Sequence, residues 1–375
     1  MTVTLRCLVS AGDPRPGRDP PVQPEQIDRA LVDFDVLAGW MDARDLPGGP
    51  FEDVDTLAGG TQNTLVRFRR GGRDYVLRRG PTHLRPRTND VLRREARVLA
   101  ALDGTDVPAP RLIAACPDES VMGGAVFYLM TPVEGFNASV TLPALHARDE
   151  SVRHEMGLNA ARALSALGAV DHEAVGLGDF GKPEGFLERQ VGRWLSELDS
   201  YSALDGYPGP DIPGLDGVAR WLGEHPPAAW RPGILHGDYH LANLMYAFDG
   251  PEVAAIVDWE MCTIGDPLLD LGWLLATWPY RADQSAALAG PLGEAGGLPA
   301  ADDLVAAYAE RADAAAGRDL SSITWYAVLA CFKLGIVLEG TNARAFAGKA
   351  PRETGDLLHS ITLGLFRRAR DFIGS

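Results

Sequence analysis

The segment His236-Gly-Asp-Tyr-His-Leu-Ala-Asn243 sets an aspartate, Asp238, ahead of an asparagine, Asn243, in one short loop. Further on, Asp258 closes the apolar run Ala254-Ala-Ile-Val257. Two carboxylates and a carboxamide in this order suit phosphoryl transfer. That reaction has a loose transition state, so catalysis is mostly positioning and charge neutralisation. One carboxylate must orient an acceptor hydroxyl and take its proton, a task that suits Asp238. Oxygen donors must hold Mg²⁺, a hard cation that keeps several waters, and Asn243 and Asp258 suit that. Taken singly, Asp238 also fits a turn cap, Asp258 a strand end and His236 a hydrogen-bonded core residue. The ordered combination carries the chemical reading.

Short strands at Ile234–Leu235, Leu244–Ala247 and Ala254–Asp258 are expected to position these groups. Around them helical spacing dominates, at Val152–Gly168, Gly185–Leu204, Leu215–Gly223, a segment running to Thr277, Asp302–Ala315, Ser321–Glu339 and Thr354–Phe372. The first part of the chain reads differently. Ile27–Ala43 has helical spacing. Three strand-like runs follow, Asp55–Ala58, Thr64–Phe68 and Asp74–Arg79, separated by Gly59-Gly60 and Gly71-Gly72. Asn89–Leu102 is an amphipathic helix with Leu92, Ala96 and Leu99 on its core face, and Ala125–Thr131 is a buried strand. The expected architecture is α+β and bilobal. Residues 1–26 form a disordered leader, 27–132 a small β-rich N-terminal lobe, and 133–375 a larger, mostly helical C-terminal lobe.

Composition narrows the function. The net charge of −16 argues against nucleic acid as the main partner, because a phosphate backbone needs clustered positive charge. Cys7, Cys116, Cys262 and Cys331 form no CxxC pair, so neither a disulfide framework nor a structural zinc site is expected, and a reducing cytoplasm fits. No signal peptide and no membrane span are expected. Gly176-Leu-Gly-Asp-Phe-Gly181 matches GxGxxG but follows an Ala-rich helical pattern and precedes Lys-Pro, the wrong setting for a dinucleotide site. Neither a P-loop nor a GxSxG elbow occurs, and His236 and His240 lack the HExxH setting of a zinc site.

His-Gly-Asp-x-x-x-x-Asn followed by Val257-Asp-Trp-Glu260 resembles the aminoglycoside phosphotransferase and choline kinase family, and the resemblance runs from about Thr56 to Trp278. It implies a protein-kinase-like fold, Mg²⁺, and ATP or GTP as co-substrate. It gives His236 a supporting role in the catalytic loop. Leu57-Ala-Gly-Gly-Thr-Gln-Asn-Thr64 resembles the phosphate-covering loop, where Gly59 and Gly60 permit close approach and Thr61 and Asn63 offer polar contacts. Arg78 stands where kinases carry a phosphate-holding Lys, with Glu95 placed to pair with it. A guanidinium binds phosphate bidentately, with a geometry different from lysine's. Phe127–Gly135 resembles the lobe linker, with Met130 to Val133 against the adenine edge. Asp270 opens a helix and reads equally as an N-cap. His240 is open between substrate contact and packing.

The acceptor is a small molecule bearing a hydroxyl group. Eleven arginines between Arg67 and Arg97, against only Asp74, Asp90 and Glu95, read either as a site for an anionic acceptor or as a solvated face. The sequence around Val76-Leu-Arg-Arg79 and Val257–Pro267 resembles the branch associated with acyl-CoA dehydrogenases, which implies a hydroxyacyl-CoA. The alternatives are an aminoglycoside- or choline-type acceptor, and a non-catalytic nucleotide-binding module. Oligomeric state is not encoded in any of these motifs.

Overall fold

The computed structural model describes residues 32–57, 63–81, 83–279, 286–310 and 318–374. The described chain opens with α1 (Phe34–Asp42), whose N-cap Asp33 accepts from the N–H groups of Asp35 and Val36. Five strands follow: β1 (Phe51–Thr56), β2 (Thr64–Arg70), β3 (Arg73–Arg79), β4 (Leu112–Cys116) and β5 (Phe127–Met130). They form one antiparallel sheet in the order β1-β2-β3-β5-β4. α2 (Thr88–Leu102) crosses over between β3 and β4, burying Leu92, Glu95, Ala96 and Leu99 on one face. One apolar cluster on the α1 side of the sheet includes Leu37, Phe68, Tyr75 and Leu129. Residues on the α2 side, such as Leu65, Val76 and Tyr128, join the main core.

The second lobe contains β6 (Phe136–Asn137), α3 (Ala144–Arg148), α4 (Glu150–Ala169), α5 (Gln190–Ser200), α6 (Leu215–Glu224), β7 (Gly233–Leu235), β8 (Leu244–Tyr246), β9 (Val253–Ile256) and β10 (Thr263–Gly265). α7 (Leu268–Thr277), α8 (Ala286–Ala295, broken at Gly290), α9 (Ala301–Ala309), α10 (Ile323–Phe346) and α11 (Arg352–Gly374) complete it. Two small sheets, β6-β8-β9 and β10-β7, carry the predicted loop between helices. α10 is long and apolar enough by composition to cross a membrane, which the sequence reading of short apolar runs did not anticipate. Here it is the central core helix, buried along most of its length against α7 and α11. Gly272 of α7 allows that packing, since a Cβ there would lie 2.5 Å from the Tyr326 carbonyl.

The α+β bilobal expectation therefore stands, with local corrections. β1 starts at Phe51 rather than Asp55, its early residues pairing with Arg69 and Arg70 despite a polar pattern. β4 was missed, because Leu-Ile-Ala-Ala-Cys lacks alternation; pairing with β5 makes it a strand. The helix expected over Gly185–Leu204 begins only at Gln190 and ends in a 3₁₀ turn, Tyr201–Ala203. The strand expected to deliver Asp258 stops at Ile256. The GxGxxG match docks the lobes instead: Asp179 pairs with Arg97 of α2, and Arg94 lies over the Phe180 ring at 3.8 Å while donating to the Phe180 and Cys262 carbonyls. The arginine-rich stretch is mostly committed to protein partners. Arg67 pairs with Glu134, Arg69 with Asp53, Arg70 with Asp42, Arg78 with Glu95, Arg93 with Glu119 and Arg97 with Asp179. These pairings engage six of the eleven arginines with carboxylates of the protein itself.

Candidate active site

β7 ends at Leu235 and the chain turns sharply through His236-Gly237-Asp238. Gly237 has φ +87°, and a Cβ there would lie 2.5 Å from the Met261 carbonyl oxygen, so the position needs glycine on both counts. The turn is fixed by side chains from elsewhere in the lobe. Asp270 accepts from the main-chain N–H of His236 at 2.6 Å and of Gly237 at 2.9 Å. It sits in the third position of α7 and does not cap that helix, whose N-cap is Pro267; just ahead of it Asp266 accepts from the Leu268 N–H at 3.0 Å. Burial pushes the Asp270 carboxyl up to about 7 against the pull of those two donors. His236 is fully buried, and burial keeps its imidazole neutral. Its Nδ1 accepts from the Asp238 N–H at 3.3 Å, so the ring proton sits on Nε2, which donates to the Val257 carbonyl at 2.9 Å. His236 thus ties the loop to the segment that carries Asp258.

A hairpin brings the remaining groups in. Asn243 precedes β8, Leu244 pairs with Ile256 of β9, and the Val257 N–H donates to the Asn243 carbonyl at 2.9 Å. This register sets Asn243 beside Val257 and Asp258. The Asn243 Nδ2 donates to the Asp238 carbonyl at 2.9 Å and stands 3.3 Å from Asp238 Oδ2. Asp258 adopts a left-handed conformation, φ +67° and ψ +64°, which is uncommon for a non-glycine residue. Such strain persists only where surrounding structure imposes it, and it clusters at functional sites.

His240 resolves toward contact with Asp238. Its Nδ1 accepts from the Ala242 N–H at 3.2 Å, which leaves Nε2 to donate to Asp238 Oδ1 at 3.3 Å. Burial opposes charge on this imidazole, and Asp238 more than offsets it, so its pKa rises. For Asp238, burial pushes the carboxyl up but the neighbouring His240 above all, with Lys333, outweighs it, and the pKa falls well below the usual carboxylate range.

The sheet contributes the facing wall. Arg78 of β3 is cross-strand from Tyr128 of β5. Its Nη2 donates to Glu95 Oε1 at 2.7 Å and to Asp258 Oδ1 at 3.0 Å, and the Tyr128 hydroxyl donates to Glu95 Oε2 at 3.0 Å. The expected Arg78–Glu95 pair is therefore present, and it extends to Asp258. Arg79, on the opposite face, donates to the Gly80 carbonyl. Carboxylate oxygens of Glu95, Asp258 and Glu260 all lie within 4.8 Å of one another. Sequence reasoning did not single out Glu260, though it stands in the Val-Asp-Trp-Glu motif that pointed to the family. Burial, then Asp258 and Glu95, push its carboxyl up to about 7. Both Glu95 oxygens are engaged by Arg78 and Tyr128, so Asp258 and Glu260, with the Asn243 carboxamide oxygen, are the hard donors that fit Mg²⁺.

Met130 ends β5 and is buried in the sheet. Val133 packs against a separate apolar cluster of Met245, Ala255 and Val257, between the lobe connection and the β8–β9 hairpin. Asn63 directly precedes β2. Gly59, Gly60 and Thr61 lie outside the described residues.

Comparison with known proteins follows the same lines. A family model described as the phosphotransferase enzyme family matches residues 53–312. A solved structure of a candidate aminoglycoside phosphotransferase from Ralstonia eutropha JMP134 shares 30% identity and a TM-score of 0.75, covering 91% of this chain and 98% of that one. The GDP complex of aminoglycoside 2′-phosphotransferase-IIIa, at 17% identity, covers 91% of this chain and 98% of that one with a TM-score of 0.57 and shares the fold. Among curated proteins, mouse acyl-CoA dehydrogenase family member 10 is 27% identical over 84% of this chain and 28% of its own length. Chicken acyl-CoA dehydrogenase family member 11 is 27% identical over 83% of this chain and 40% of its own length. The chain thus spans well under half of these curated relatives.

Proposed function

Because the chain belongs to the phosphotransferase enzyme family, we propose that it is a small-molecule kinase that moves the γ-phosphate of ATP or GTP onto the hydroxyl of a hydroxyacyl-CoA. The observation that carries the reading is the convergence of Asp238, Asn243 and a left-handed Asp258 around one loop, each held by independent contacts. The acceptor class is supported by the curated relatives, which are named acyl-CoA dehydrogenase family members.

In this mechanism Asp258, Asn243 and Glu260 would hold Mg²⁺. When bound, the ion supplies charge neutralisation at the phosphate oxygens. Arg78, fixed by Glu95, steadies the nucleotide phosphates. The apolar patch of Val133, Met245, Ala255 and Val257 suits a planar base, next to main-chain groups from Met130 onward. Asp238 accepts a hydrogen bond from the acceptor hydroxyl and takes its proton as transfer proceeds. Its depressed pKa makes it a weak base, which matches a loose transition state in which the hydroxyl is oriented first and deprotonated late. His240 holds one Asp238 oxygen, leaving the other toward the acceptor and Asn243.

The test is γ-phosphate transfer from Mg·ATP to a split panel, medium-chain hydroxyacyl-CoAs on one side and aminoglycosides with choline on the other. Transfer to a hydroxyacyl-CoA that vanishes in Asp238→Asn supports the reading. Transfer confined to the cationic acceptors overturns the acceptor class. No transfer to either, with nucleotide still bound, favours a non-catalytic module.

A further inference from the structure

Lys333 is one of three lysines in the chain, and it lies in the middle of the core helix α10. The residue is only 8% exposed. A buried ammonium normally ends on a carboxylate, yet among the described residues Lys333 makes no ion pair within reach. Among the described residues its one hydrogen bond is to the carbonyl of Gly237 at 3.3 Å, the residue directly before Asp238. Its remaining surroundings are aromatic: the Trp273 ring of α7 lies 4.4 Å from Nζ and the Trp194 ring of α5 lies 5.6 Å away. Arg193 stands over the same Trp194 ring at 5.1 Å. Asp238 and Asp270 act on Lys333 through space, without contact.

The geometry has a direction. Arg78, Glu95 and Asp258 meet the catalytic loop from the sheet. Lys333, Trp194 and Trp273 meet it from the helical lobe, on the side of Gly237. An ammonium offers three donors, and one is used. Indole faces stabilise the charge but accept no conventional hydrogen bond. A desolvated cation with donors to spare, beside the residue that holds the acceptor hydroxyl, is placed to bind an oxygen of the acceptor. It also penalises any acceptor that brings its own positive charge to this side.

We infer that Lys333 is a specificity-determining residue that binds the carbonyl or carboxylate oxygen of an acyl group carried by the acceptor a few atoms from its reacting hydroxyl. The inference rests on the phosphotransferase reading above and deepens it: the site selects hydroxyacyl compounds over plain alcohols and over polycations.

The test compares Mg·ATP-dependent phosphorylation of a series of medium-chain hydroxyacyl-CoAs, differing in hydroxyl position, with thioether analogues in which CH₂ replaces the thioester carbonyl. Wild-type protein should prefer the thioester by on the order of 10- to 100-fold in kcat/KM, the scale of a hydrogen bond to a charged group. Lys333→Met should abolish that preference by lowering kcat/KM for the thioester alone. Equal losses for both acceptors would assign Lys333 a structural role and overturn the inference while leaving the kinase reading intact. No transfer by the wild-type protein to any thioester in the series would overturn the inference together with the hydroxyacyl-CoA acceptor class, and transfer to the cationic panel would then show the kinase reading still standing. Lys333→Arg keeps the charge and serves if the Met variant does not fold; it should reduce the preference, and an unchanged preference would count against the inference.

Discussion

The Asp270 carboxylate accepts the main-chain N–H of His236 at 2.6 Å across 34 residues of chain, and with its other oxygen takes the N–H of Gly237. This joins the first turn of α7 to the loop that carries Asp238. Replacing Asp270 by Asn turns one of the two acceptors into a donor facing an N–H. Such an unsatisfied buried pair costs roughly 1–3 kcal/mol. Asp270→Asn should lower the melting temperature and reduce phosphate transfer on the order of 100-fold. Wild-type turnover in that variant would show that the loop does not depend on the clamp.

Asp258 predicts a trade of activity for stability. Its φ of +67° suits glycine better than aspartate. Asp258→Gly should abolish turnover while leaving the melting temperature equal to or above wild type, the relieved strain being about 1 kcal/mol. A calorimetric scan beside a transfer assay measures both. Retained turnover would remove Asp258 from the metal site.

Arg78 stands between two carboxylates, Glu95 and Asp258. Glu95 is 1% exposed, so removing Arg78 leaves a buried carboxylate with no countercharge on it and only the Tyr128 hydroxyl to hold it. Arg78→Met should destabilise the fold by about 3–5 kcal/mol. Arg78→Lys keeps the charge but exchanges the planar guanidinium, whose Nη2 donates to both carboxylates, for a point ammonium, and should fold while transferring phosphate up to about 10-fold more slowly. Denaturant titration and steady-state kinetics separate the two effects. A faster Lys variant would mean that arginine is the poorer phosphate ligand here.

Glu260 gives a pH signature. Burial and its acidic neighbours place its pKa at about 7, so below that value it carries a proton that a metal ion must displace. Apparent Mg²⁺ affinity should therefore rise with pH through about 7, with proton release on binding. Titration calorimetry in buffers of different ionisation enthalpy reads that release directly. In Glu260→Gln the pH dependence should disappear; its persistence would exclude Glu260 from the metal site.

Much of this site was legible beforehand. Asp238, Asn243 and Asp258 lie close in sequence, joined by one loop and one hairpin, so their spacing alone brought them together. The Arg78–Glu95 pair was legible through the resemblance to kinases, which places a cation on this strand opposite a glutamate of the following helix. His240 and Asp270 could not be assigned, because their partners depend on which nitrogen or oxygen faces which backbone group. Asp270 read equally as an N-cap, since an acidic residue near a helix start looks the same in sequence whether it caps that helix or reaches another loop.

What the amino-acid sequence determined by itself was the fold class, the order of the lobes and the loop-borne groups, all encoded in local periodicity and short motifs. Only the tertiary structure decided the fate of the arginine-rich stretch, whose charges are mostly spent on partners from Asp42 to Asp179. Only the tertiary structure, likewise, put Lys333 under Gly237, because α10 reaches the loop across 96 residues of chain. Long-range packing of helices is set by the summed fit of many apolar side chains, and no local pattern records which single polar group that fit will carry to the site.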